Sequence, residues 1–283
     1  KLFKIFSSSA EPKITKILSG NVEHTVLQRA CAIQLFSKKP LHALVLGSNL
    51  GNTLINTLQT IAPISTVYTQ DDMGNLLVIR KHKQYDKGIL AKTNDGLFIM
   101  LNFKLERPAE RNPIVSAMEK GYVVVERNNF TGKFAANINV LAFAIPDGIR
   151  LLTKSIDILK RQIPFSRDIL HKFHLVFVVQ KPKQVSEALS LKSEDVLFLR
   201  SYIAYCRKFK VTFDKKYDGL VDQFMAFIKN DENHFVVDVR EKIAAAVKRL
   251  ACARAAMHMR EDLSEEDVKE ALKIVRDSLY VVK

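Results

Sequence analysis

Cysteine is scarce in this chain. Cys31, Cys206 and Cys252 stand alone among 283 residues, with no CxxC pair. That isolation argues against a zinc cluster and a disulfide framework, and a reducing compartment is the natural reading. No apolar run approaches the length of about eighteen residues that a membrane-spanning helix needs, so no membrane span is predicted. Internal repeats and low-complexity tracts are missing as well. Acidic residues are in deficit: 30 Asp and Glu face 44 Lys and Arg, a net charge of +14. The excess favours a polyanionic partner without separating nucleic acid from acidic protein or an anionic surface. Apolar residues at 47% and charged residues at 26% exclude wholesale disorder. The chain opens at Lys1, without Met or a signal-like segment, and is expected to be a piece of a longer protein.

The first two-thirds alternate short apolar runs with amphipathic stretches. Ala43–Leu46, Leu97–Leu101, Val140–Ala144 and Leu175–Val179 are bounded by turn or polar residues, as strands buried on both faces are. Val22–Phe36 and Arg111–Met118 carry helical spacing between them. Such alternation predicts a layered α/β core. Two segments look like hairpins. Leu76–Arg80 and Gly88–Lys92 flank the basic tract Lys81–Lys87; Tyr122–Glu126 and Lys133–Ala136 flank the turn-rich Arg127–Gly132. After Lys181-Pro-Lys183 the texture becomes helical, with helices predicted over Ser193–Lys208, Lys215–Asn230, Val239–Met259 and Ser264–Leu279. The last opens with Ser264 and three acidic residues, a capping signature. The expected division is an α/β core over 1–180 and an α-helical lid over 181–283.

An α/β core followed by a helical lid is the layout of AAA+ ATPases, and particular strings narrow the resemblance. Ile17-Leu-Ser-Gly20 followed by Arg29–Phe36, then Ile61-Ala-Pro63, Val67-Tyr-Thr69, Ala117-Met-Glu119 and Val123–Arg127 resemble, in order, the ATPase domain of the minichromosome maintenance (MCM) replicative helicases. Arg249–Ala255 with Leu263–Val268 resembles that family's lid. The likeness is collinear over nearly the whole chain and implies a P-loop-type core with a parallel sheet, inserted β-hairpins and a lid bundle.

Against the family's GxxGxxKS loop, the chain has Gly47-Ser-Asn-Leu-Gly51-Asn52-Thr53. Glycines let backbone N–H groups surround phosphate, a Lys offsets its charge and a Ser or Thr holds Mg²⁺. Here Asn52 falls at the lysine and Thr53 at the Mg²⁺ ligand, and no Lys or Arg occurs between Lys39 and Arg80. Where the family places Asp-Glu after the strand Asp95–Leu101, Asn102-Phe103 stands. The sensor asparagine position is Ile145, the arginine-finger position Lys172, and the lid's sensor arginine is either Arg240 or Lys242. An arginine finger is worth roughly 10³–10⁵ in rate and a catalytic base roughly 10²–10⁴. The resemblance therefore implies a pseudo-ATPase, no enzyme and no cofactor, with ATP/Mg binding weak or lost.

The family's two hairpins contact DNA backbone in a central channel. By position, Arg80, Lys81, Lys83 and Lys87 fall in the first, and Arg127 and Lys133 in the second, with Tyr85 and Phe130 able to stack on bases. Partners implied are DNA through its phosphates and other MCM-type subunits or self-assembly as a hexamer, with no membrane. The implied location is the nucleus in a eukaryote, or the cytoplasm and nucleoid in an archaeon. The predicted function is a structural or regulatory DNA-binding subunit in replication or repair. The alternatives are an ATP-driven helicase subunit completed by its neighbours and a protein-binding scaffold without DNA contact. His171 and His174 read as structural histidines rather than metal ligands; Arg249, Arg254 and Arg260 read as a solvated or subunit-facing side of the lid. Lys160, Arg161 and Arg167 around Ile163-Pro-Phe165 read as a solvated basic turn, with an interface loop as the alternative.

Overall fold

The computed structural model describes residues 1–19, 22–23, 25–47, 51–81, 84–127, 130–146, 155–179, 183–184 and 191–280. Helices α1 (Leu2–Ser7) and α2 (Ala10–Ser19) precede a short strand β1 (Val22–Glu23) and helix α3 (Thr25–Gln34). Strand β2 (Ala43–Leu46) leads to α4 (Gly51–Ile61) and β3 (Ser65–Tyr68). A first hairpin, β4 (Val78–Lys81) and β5 (Gln84–Lys87), is followed by α5 (Ile89–Lys92), β6 (Leu97–Met100) and α6 (Pro108–Lys120). The second hairpin, β7 (Tyr122–Arg127) and β8 (Phe130–Ala135), runs into β9 (Asn139–Ala144). Short helices α7 (Ile156–Arg161) and α8 (Arg167–Leu170) come before β10 (Leu175–Val178) and β11 (Lys183–Gln184). Four helices close the chain: α9 (Ser193–Cys206), α10 (Asp218–Asn230), α11 (Glu241–Met257) and α12 (Glu265–Leu279).

The central sheet has five parallel strands in the order β10-β2-β9-β6-β3. Alternation along each strand divides its side chains between two apolar layers. Ala43, Val45, Leu97, Ile99, Leu141 and Phe177 face α2, α3, α4 and the C-terminal helices. Leu44, Leu46, Phe98, Met100, Val140 and Val176 face α6, α7 and the second hairpin. A sheet covered on both sides explains why its strands read as unbroken apolar runs.

The four expected strands and three of the four C-terminal helices lie within a residue or two of their predicted bounds; α10 starts three residues late, after a 3₁₀ turn over Lys215–Tyr217. Three expectations need correction. The helix expected from Val22 starts at Thr25, because Val22 and Glu23 pair antiparallel with Gln184 and Lys183. The first hairpin's second arm is Gln84–Lys87, inside the basic tract, while Ile89–Lys92 is a helical turn that buries Leu90. In the second hairpin Arg127 belongs to β7, paired with Phe130, so the connection is tighter than the expected Arg127–Gly132 loop.

Candidate nucleotide site and DNA-contact hairpins

Parallel strands put every carboxyl end on one edge of the sheet, where α/β folds bind ligands. At that edge Gly47 follows β2, and its N–H donates to Ala144 O at 3.1 Å. A Cβ on Gly47 would lie 2.2 Å from the carbonyl oxygen of Val179, so only glycine fits between the ends of β9 and β10. Residues 48–50 lie outside the described residues. Helix α4 then begins at Gly51, its amino end turned to the same edge; Thr53 is half-buried in its first turn, and the Asn52 side chain lies outside the described residues. Free N–H groups at a helix start favour an anion, but triphosphate also needs a cation and a held metal.

The neighbouring strand ends supply neither at the expected positions. After β6, Asn102 is exposed and left-handed (φ 51°), a conformation asparagine tolerates better than most residues. Phe103 turns inward: it is 2% exposed, meets the rings of Phe165 and Phe173 edge-on at 5.0 and 5.4 Å, and donates its N–H to Phe143 O. The position where an acid would work is thus part of an aromatic core. Ile145, past β9, is 50% exposed and has no group to orient water. Sequence reasoning passed over Lys104, a half-buried cation two residues beyond Asn102.

Lys172, Arg240 and Lys242 come together at the opposite, amino edge, before β10. Lys172 Nζ pairs with Glu119 Oε1 at 2.5 Å, and Lys242 Nζ donates to Lys172 O at 3.1 Å. Burial lowers the Lys242 ammonium's pKa, Lys172 and Arg249 lower it further, and Glu119 opposes them. Arg240, exposed at the start of α11, lies 3.4 Å from Asp238, which also meets His171 at 2.9 Å and Arg167 at 3.9 Å. A four-residue strand separates this cluster from Gly47 by about 13 Å.

On the second hairpin, alternation turns Phe130, Gly132 and Phe134 inward and Lys133 outward. Lys133 Nζ sits 3.7 Å above the Tyr122 ring, a cation–π contact that holds the amine on the exposed face. Phe130 does not project freely: its ring stacks on Phe134 at 6.2 Å. On the first hairpin Lys87 is exposed at the base of β5. Lys83, and the side chains of Arg80, Lys81, Tyr85 and Arg127, lie outside the described residues.

The lid arginines are not a solvated face. Arg254 is 8% exposed and bonds Glu11 and Asp267; Arg260 also bonds Asp267; Arg249 donates to Pro40 O. His174 is buried and accepts from the His42 N–H at 3.0 Å, and burial drives its pKa well below the usual range. Phe165 packs on Phe103, so the loop around Ile163 and Pro164 is anchored to the core, with Arg161 and Arg167 exposed beside it.

A five-stranded parallel sheet in this order, with hairpin insertions and a helical region after it, defines an AAA+-type core and lid. The MCM AAA-lid domain family model matches residues 197–279. A zygotic DNA replication licensing factor of Xenopus laevis, mcm6-A, is 23% identical over 247 residues, covering 79% of this chain. The chain spans 29% of that relative's length. Together these two matches support a relationship to the minichromosome maintenance family.

Proposed function

We propose that this chain is a non-hydrolysing member of its family: a structural or regulatory subunit that contacts DNA in replication or repair, in company with other MCM-type subunits. Its parts are the core over 1–180 and the lid over 181–283, and in a eukaryote it acts in the nucleus. Among the described residues no helix is long and apolar enough to cross a membrane.

The observation that carries this reading is Phe103. Catalysis of hydrolysis needs a carboxylate beside the magnesium and the attacking water, and that position holds a phenyl ring packed between two others. Asn52 at the lysine position and Ile145 at the sensor position agree with it. Lys172, at the finger position, keeps a charge without the planar fork that spans a transferring phosphoryl group, and that charge is already paired with Glu119. Phosphate contacts by the hairpins need charge and reach rather than fixed geometry, so they outlast the loss of catalysis.

The test is titration with a fluorescent ATP analogue together with ADP release, for the chain alone and mixed with an MCM-type partner. The expected outcome is no saturable micromolar binding and turnover at the background rate in both. Saturable binding, or turnover that appears with the partner and is lost in Lys172→Ala, would establish the helicase-subunit reading instead.

A further inference from the structure

At the amino edge of the sheet, the loop between α3 and β2, the segment after α9 and the exposed side of α11 enclose a cavity of about 400 Å³. Its apolar wall includes Phe36, Phe209, Val211 and Phe213. Its mouth carries five cations: Lys38, Lys39, Lys210, Lys248 and Arg249, and no lining residue is acidic. Two of the five are already engaged. Lys248 pairs with Asp218 at 2.6 Å, and Arg249 turns to Pro40 O and His174. Lys38, Lys39 and Lys210 are exposed, with no carboxylate partner among the described residues. An apolar hole of this size with three unpaired ammonium groups beside it is suited to a ligand, and it lies at the other end of the sheet from Gly47.

We infer that this cavity docks an acidic segment of a partner protein, which places a large apolar side chain in the hole and carboxylates on the three free lysines. The chemistry argues against other occupants. A second copy of this chain carries the same charge of +14 and is repelled. DNA satisfies lysines with phosphates, but the apolar wall offers a base few partners for its polar edge: the Ser37 hydroxyl has its proton on Lys39 O at 2.7 Å, and Thr212 is the one other hydroxyl in the lining. An aliphatic or aromatic side chain leaves no such debt. The site also touches both parts of the molecule, since Lys38 O accepts from Asn137, just past β8, while Lys210 and Lys248 belong to the helical region. An occupant would therefore bridge core and lid.

Cys252 gives the test a built-in probe. It lines the cavity and is partly exposed, whereas Cys31 and Cys206 are buried. The experiment uses the unmodified chain and a fluorescent synthetic peptide with Asp and Glu interspersed with Leu and Phe at helical spacing. Anisotropy and the rate of Cys252 alkylation by iodoacetamide are followed at low salt. Expected are saturable binding, slowed alkylation of Cys252, and affinity weakened by about tenfold or more in Lys39→Glu/Lys210→Glu and in Ala245→Trp, which fills the hole. The charge reversals sit at exposed positions and leave the core untouched, and the Cys252 readout needs no variant at all. Equal binding by a peptide with Ser in place of Leu and Phe would overturn the inference, as would alkylation indifferent to the peptide. Protection of Cys252 by a single-stranded oligonucleotide but not by the peptide would reassign the cavity to nucleic acid.

Discussion

Arg254 gathers three carboxylates, one of them from the far end of the chain: Nε to Glu11 at 2.8 Å, Nη1 to Asp267 at 2.7 Å and Nη2 to Glu266 at 3.2 Å. Glu11 in turn holds Arg29, which also pairs with Glu270. Removing one member of a buried charge network leaves the others desolvated and unpaired, at a cost of about 3–5 kcal/mol. Arg254→Ala is therefore expected to lower the urea midpoint and Tm strongly, whereas Glu266→Ala, at the exposed end, changes them little; equilibrium unfolding by circular dichroism reads both. The same network predicts acid sensitivity. Burial, the largest influence, would raise the Glu11 carboxyl, but the His258 ring 3.8 Å away, the bonded Arg29 and the charge of Arg254 hold it at about 2, against 4.5 ordinarily. A depressed folded pKa stabilises above the unfolded value, so that contribution is lost as pH falls from about 4.5 toward 2. Burial also pushes His42 down to about 3 from 6.5, so below pH 6.5 the unfolded chain takes a proton that the buried ring cannot, and the fold is progressively destabilised. Both act in the same direction, and unfolding free energy should fall on acidification in two stages. Gly47 carries a different lesson. Its close approach to Val179 explains the glycine without any phosphate, so a glycine in a loop motif is weak testimony for nucleotide.

At the scale of elements, legibility followed burial. The β2, β6, β9 and β10 strands were readable because two-sided burial leaves short apolar runs. Strand β3 was not, because at the sheet edge Ser65, Thr66 and Val67 are only half-buried and carry no such signal. The hairpin arms were misjudged where apolar content was mistaken for strand. Leu76 and Leu90 serve the core from outside the ladder, and the polar Gln84–Lys87 forms the second arm. Helix α12 was legible to within one residue, its Ser264 cap included, because its start is written in side-chain chemistry. The Ser264 oxygen accepts the Asp267 N–H at 3.3 Å, and the Asp267 carboxylate accepts the Ser264 N–H at 2.9 Å. Asp267 also receives Arg254 and Arg260, so the cap is wired into the buried network. Ser264→Ala is expected to cost about 1–2 kcal/mol, the upper part of the range for caps. Ser264→Thr, which keeps the acceptor, should restore most of it in the same denaturation assay.

For the molecule as a whole, composition announced a polyanion-seeking surface but not where its charge is spent. Arg29, Arg249, Arg254 and Arg260 are engaged by Glu11, Asp267, Glu270 and a backbone carbonyl. The Arg29–Glu270, Arg254–Glu11 and Arg249–Pro40 bonds join residues more than two hundred positions apart, a separation over which periodicity and spacing are silent. Under the proposed function the exposed hairpin cations meet DNA, and salt dependence would count them. Each phosphate neutralised on a single strand contributes about 0.7 to the slope of log affinity against log salt. Lys133 is exposed and pre-placed over Tyr122, and Lys87 is exposed at the base of β5. Lys87→Gln/Lys133→Gln should therefore reduce the slope for single-stranded DNA by about 1.4 and weaken binding most at low salt. Lys229→Gln is the control, because that amine lies on α10 and is paired with Glu232; it should leave the slope where it was. Anisotropy titrations over a salt series measure all three. A slope unmoved by the hairpin pair would mean that the basic hairpins meet protein rather than phosphate, and that the scaffold reading of this chain is the correct one.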